Sequence, residues 1–157
     1  MKKKLTWSAA ATVAVFAALQ CFNPSRVNPA VKEDFIAAAR PPATVAADLR
    51  AACYDCHSSE TRWPWYARLA PVSWLIARDV NEGRKHLNLS DWAAEPARAA
   101  KNLDRINEVI DYREMPLPKY TLLHPDARLT EAQRKEILDW TEATADRLHG
   151  APSQQDH

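Results

Sequence analysis

Two thiols and an imidazole fall within five consecutive residues, Cys53-Tyr54-Asp55-Cys56-His57. Thiols at i and i+3 on a helical turn can add to the two vinyl groups of one porphyrin. The residue that follows is then placed to bring a ring nitrogen to the iron, so C-x-x-C-H reads as an attachment motif for c-type haem. Other readings of the same residues compete. A thiol–disulfide exchange pair also uses C-x-x-C, but normally opens a helix in a βαβ-type fold. Here the motif closes a predicted helix. Zinc would need a second ligand pair at metal spacing, which is absent. A plain disulfide is open to any oxidising compartment.

A sixth iron ligand has few candidates. Met115 is the one methionine besides the initiator, and it follows a predicted helix and precedes Pro116. A thioether opposite histidine favours reduced iron and raises the potential. His124 and His86 are the rivals, and an open sixth position is the remaining alternative. A peroxidase-like version of that alternative would call on His86, Arg113 or His124. A lone methionine can also simply fill a core gap. Trp63, Trp65 and Tyr66 are expected to wall a porphyrin or fill the core. Arg62, Trp65, Tyr66 and Arg68 are candidates for its carboxylates. Arg84-Lys85-His86 is either a docking patch or ordinary solvated surface. Tyr120 and His124 are expected to hydrogen-bond around the methionine loop. Asp79, Glu82 and Asp91 form no visible catalytic pair, so the chain reads as an electron carrier and not an enzyme.

The elements that must position these groups are helical. The chain of 157 residues has 46% hydrophobic and 26% charged residues, with 21 Lys+Arg against 20 Asp+Glu. That describes one folded domain without the concentrated basic surface of a nucleic-acid binder. Only two glycines occur, too few for hairpins or phosphate loops. Alanine is abundant, and an all-α fold follows. Val45, Leu49 and Ala52 share one helical face leading into Cys53. A helix over 71–82 should turn Val72, Leu75, Ile76 and Val80 inward and stop at Gly83. Ser90-Asp91 reads as the start of a helical region that carries Leu103, Ile106 and Ile110 as one stripe and ends at Pro116 and Pro118. Thr130 and Gln133 form a capping box for a last helix, with Ile137, Trp140, Thr141, Thr144 and Leu148 inward and Gly150 at its end.

Lys2, Lys3 and Lys4 precede an uncharged stretch from Leu5 to Phe22, the pattern of an export signal or signal-anchor. Residues 1–22 are therefore expected to hold the domain to the inner membrane on the periplasmic side, with a cleaved, soluble periplasmic form as the alternative. Cys21 sits behind Leu19-Gln20, a poor lipid-attachment context. Residues 23–43, rich in proline, read as a linker with one helical turn near Phe35–Ala39. Residues 44–149 make the haem domain and 150–157 a disordered tail.

The run from Cys53 through Ser58-Ser59-Glu60-Thr61-Arg62 to Tyr66 resembles the bacterial haem-binding domain family of small exported c-type cytochromes. So do Ala70-Pro71-Val72-Ser73-Trp74-Leu75, Glu114-Met115-Pro116-Leu117-Pro118 and Leu123–Thr130. The similarity spans roughly residues 20 to 145. It implies one covalently bound haem c in a cytochrome c-like helical domain behind an N-terminal hydrophobic anchor helix, with Cys53 and Cys56 attaching the group. His57 would be the proximal ligand and Met115 the distal one. Implied partners are redox proteins and the haem-ligation machinery, with no nucleic acid. Two other readings stay open: a sensor or peroxidase-like enzyme with an open sixth position, and a non-haem C-x-x-C thiol module.

Overall fold

The computed structural model describes residues 2–92 and 95–150. Its helices in chain order are α1 (Lys2–Leu19), α2 (Phe35–Ala39), α3 (Ala43–Ala52), α4 (Tyr54–His57), α5 (Val72–His86), α6 (Pro96–Asp111), α7 (Pro118–Leu123) and α8 (Glu131–His149). Short 3-10 turns lie at Gln20–Phe22, Trp65–Arg68 and Pro125–Ala127. Among the described residues no strand forms, and one isolated bridge joins Glu33 to Asp91. The all-α expectation holds.

The largest helix pairing is α6 against α8. Leu103, Ile106 and Ile110 recur at helical spacing on α6 and are buried, as is Ile137 on α8. Asn107 ties the pair by donating to Leu138 O (3.0 Å) and Thr141 Oγ1 (2.8 Å). Helix α8 opens with the predicted capping box: Thr130 Oγ1 accepts from Gln133 N, and the Gln133 side chain accepts from Thr130 N. Thr130→Ala removes half of that exchange and is expected to cost about 1 kcal/mol. Chemical denaturation should show a lower midpoint at unchanged slope. Helix α3 meets the early turns of α8, where Thr44 donates to Glu136 (2.7 Å) and Gln133 to Asp48 (2.6 Å). Trp140 packs edge-on against Phe35.

Several expectations are corrected. Helix α6 starts at Pro96, capped by Glu95, whose carboxylate accepts from Ala97 N and Arg98 N. Ser90 is no helix start; it is buried and its hydroxyl accepts from Ser59 N at 2.9 Å. The expected linker of 23–43 is part of the domain. Phe35 is fully buried against Trp92, and Lys32, Glu33 and Phe35 donate backbone hydrogen bonds to Ser90 and Leu89. Helix α5 runs through Gly83 to His86, with Ser73, Ala77 and Val80 buried and Val72 and Leu75 exposed. At the N-terminus, no helix among the described residues is long and apolar enough to cross a membrane. Helix α1 ends at Leu19, short of Phe22, and its 18 residues rise only about 27 Å. Three of those residues are Lys2, Lys3 and Lys4, and the uncharged stretch beginning at Leu5 runs on past the helix end to Phe22. The tail expected over 150–157 lies, apart from Gly150, outside the described residues.

Candidate haem site

The chain changes direction within the motif. Helix α3 ends at Ala52, and Cys53 leaves it with φ −123°, its N–H still donating to Leu49 O. One tight turn follows, in which Cys53 O accepts from both Cys56 N (3.2 Å) and His57 N (2.9 Å). The far end is fixed by Ser58, whose hydroxyl donates to Tyr54 O at 2.7 Å and accepts from Glu60 N at 2.9 Å. Arg84 of α5 donates to Ser58 O (2.7 Å) and Thr61 Oγ1 (2.9 Å). That bonding makes Arg84 a structural cross-link and takes it out of the expected docking patch.

Helix α5 can lie directly on this turn because Gly83 has no side chain. A Cβ at Gly83 would meet Cys56 O at 2.6 Å and Cys56 C at 3.1 Å. Alanine in place of a helical glycine ordinarily gains about 1 kcal/mol. Here backbone would press on backbone, so Gly83→Ala is expected to be destabilising by about 1–3 kcal/mol. A thermal melt reads the sign, and a raised midpoint would contradict the close approach.

Above the turn lies a cavity of about 310 Å³. Cys53, Cys56 and His57 form one wall, and Ile106, Val109 and Ile110 of α6 another. Met115, Pro116 and Tyr120 also line it, so the four residues singled out by sequence share one cavity. Both thiols are free. Burial, and then the neighbouring Cys56, pushes the Cys53 thiol up to about 12. Burial, followed by the Asp55 and Asp79 carboxylates, pushes Cys56 up to about 11. Such groups are thiols at neutral pH, whereas an exchange couple works through thiolate.

His57 Nδ1 lies 3.1 Å from Leu87 O. A carbonyl only accepts, so Nδ1 carries the proton and Nε2 keeps its lone pair. Burial lowers the His57 pKa, with the Leu87 and Gly83 carbonyls opposing in part. A neutral imidazole whose far nitrogen is anchored to a carbonyl is what a metal ligand requires. Two thiols, this imidazole and a thioether around one largely apolar cavity fit a haem. The described residues contain no cluster of three or more His, Cys, Asp or Glu placed to hold a metal ion.

The methionine loop is built by the end of α6. Glu114 N (2.9 Å) and Met115 N (3.1 Å) both donate to Val109 O, after Arg113 turns the chain through φ 57°. His86 lines the same cavity but is exposed. His124 does not line it. It stacks on Tyr120 at 4.1 Å, with Nδ1 3.0 Å from Tyr120 O and Nε2 3.3 Å from Tyr66 Oη. These bonds tie His124 to Tyr120 and Tyr66, and none of them reaches Met115, around which they are expected. They belong to a second cavity of about 180 Å³, which shares Cys56, Asp79, Leu117 and Tyr120 with the first.

Trp63 and Trp65 line neither cavity, and Trp65 is 74% exposed. Arg62 is paired with Asp55, a buried carboxylate that also accepts from Tyr120 Oη at 2.8 Å. Sequence reasoning passed over Asp55 and Leu87. Asp55 offered a signal, a charged residue inside the motif; Leu87 acts through its backbone and offered none.

The fold and the cavity define a class: an all-helical domain shaped to hold a haem. The haem-binding domain family matches residues 14–143, and the chain belongs to that family. It is also similar to the cytochrome c peroxidase Ccp of Escherichia coli (strain K12), 29% identical over 92 residues. That match covers 56% of this chain, which spans only 20% of the relative's length. No solved structure matches the chain.

Proposed function

We propose that this is a mono-haem c-type cytochrome domain that transfers single electrons, exported to the periplasm and served there by redox protein partners. Bound haem would supply a one-electron iron couple. The chain's part is to attach the group through Cys53 and Cys56, to present His57 Nε2 to the iron, and to offer the Met115 thioether as second ligand. Two protein ligands that persist in both redox states keep rearrangement small. The apolar wall of Ile106, Val109 and Ile110 limits water and supports a high potential. The observation that carries this reading is the shared cavity, with His57 Nδ1 already bonded to Leu87 O. A cytochrome c-like arrangement of α3 and α8 around it belongs to the same proposal.

The test is the absorbance spectrum of the full chain, produced with haem-maturation factors, in both redox states. A weak red-edge band in the ferric form, and a ferrous form indifferent to carbon monoxide, are expected. The similarity to a peroxidase favours a second reading, in which the sixth position is open and peroxide is the substrate. Ready carbon monoxide binding without the red-edge band would put that reading first. Protein free of haem from a strain with working maturation factors would defeat both.

A further inference from the structure

Helix α8 carries a residue that the site itself does not contain. Arg134, in its first turn, directs Nη1 to Ile110 O (3.2 Å), in the last turn of α6, and to Met115 O (3.4 Å). Its Nε is buried and has no hydrogen-bond partner. An unpartnered buried N–H is destabilising, and an apolar side chain of similar length would remove that penalty. Stability alone therefore gives a poor account of the guanidinium. What it does provide is a charged donor shared between the end of α6 and the carbonyl of Met115. A second link joins the same loop to α8, the bidentate pair of Arg113 with Glu131 (2.8 and 2.7 Å). Both partners are largely exposed, and exposed pairs hold little.

We propose that Arg134 is a positioning residue for Met115, fixing the thioether loop against α8 so that the sulfur stays at the cavity. This rests on the reading of Met115 as an iron ligand. The haem itself is not touched by Arg134; the effect passes through the Met115 backbone. Losing the link frees the loop without opening the α6–α8 core, so ligation and global stability separate. That separation distinguishes positioning from a general structural role.

The experiment uses the full chain loaded with haem and compares R134M, R134K, E131Q and M115A. Three quantities are read: the ferric red-edge band, the carbon monoxide binding rate of the ferrous form, and the thermal midpoint. R134M is expected to keep its midpoint within a few degrees while losing much of the band. Its carbon monoxide rate should rise about tenfold, as expected for loss of one charge-assisted hydrogen bond. R134K should fall between R134M and wild type, and E131Q should match wild type. A wild-type band and rate in R134M would overturn the proposal. Should R134M yield no haem-loaded protein, R134K decides: an intermediate rate supports positioning and a wild-type rate refutes it. M115A separates the two levels of inference. If it leaves band and rate unchanged, the ligand reading fails and Arg134 has nothing to position. If it removes the band while R134M retains it, only the positioning role is wrong.

Discussion

Cys53→Ala combined with Cys56→Ala is expected to reduce covalent haem to background, read as loss of haem stain on a denaturing gel and loss of the porphyrin's mass. The change is large because no other residue can replace a thioether bond; Cys21, the remaining thiol, is exposed in the turn Gln20–Phe22 and does not line the cavity. Loss of fold would not explain the result. Neither thiol is in a disulfide, and the turn is held by the bonds of Cys53 O, Ser58 and Arg84, all of which survive the substitutions. Helicity by circular dichroism should therefore stay close to that of wild-type apoprotein. A single substitution should leave one attachment point and a spectrum shifted by the vinyl group that remains. Porphyrin mass persisting on the double variant would refute attachment at these two residues.

Met115→Ala should leave the haem attached and lower its reduction potential. The sign follows from the thioether's preference for ferrous iron: without it, the ferric state gains relative to the ferrous. Axial ligands span about 0.8 V across haem proteins, and a fall of about 0.1–0.2 V is expected from this one change. The ferrous variant should also begin to bind carbon monoxide. His124→Ala is the informative contrast, since His124 lines the other cavity and both its ring nitrogens lie within bonding reach of tyrosine groups. That variant should keep the wild-type potential to within a few hundredths of a volt on the same scale. Equal potentials in Met115→Ala and wild type would remove Met115 from the iron.

The run Cys53–His57 is legible as a candidate attachment motif because the proposed chemistry is local: two vinyl additions and one ligand would fix residue types at fixed spacing. The capping box at Thr130 and the α6 stripe of Leu103, Ile106 and Ile110 were legible for the same reason, each depending on neighbours within a turn or two. What escaped was set by distant partners. Gly83 looked like a helix stop because glycine commonly ends helices. Its actual role, admitting the Cys56 carbonyl, depends on a turn far away in sequence. Ser90 resembled a cap, yet its hydroxyl serves Ser59. Phe35 sat among prolines and read as linker, although one aromatic ring on a five-residue helix was enough to bring that segment into the core. The exposed Trp65 was misjudged by composition alone, since being aromatic says nothing of which way a side chain faces.

Between α1 and the motif's trailing loop, the chain is stitched down at short intervals. The Gln20 side chain pairs with both Ala70 N and Ala70 O, and Asn23 accepts from Ser73. Phe22 O accepts from Trp74, and Asn28 reaches Thr61 O while accepting from Arg84. A segment bonded in this way has no slack, so the point at which the chain enters the domain at Gln20 is fixed relative to the cavity. Were the residues before it held to a surface, as the sequence reading expects, that fixed entry point would turn one face of the domain outward repeatedly, and any gain in local concentration would be confined to a single approach.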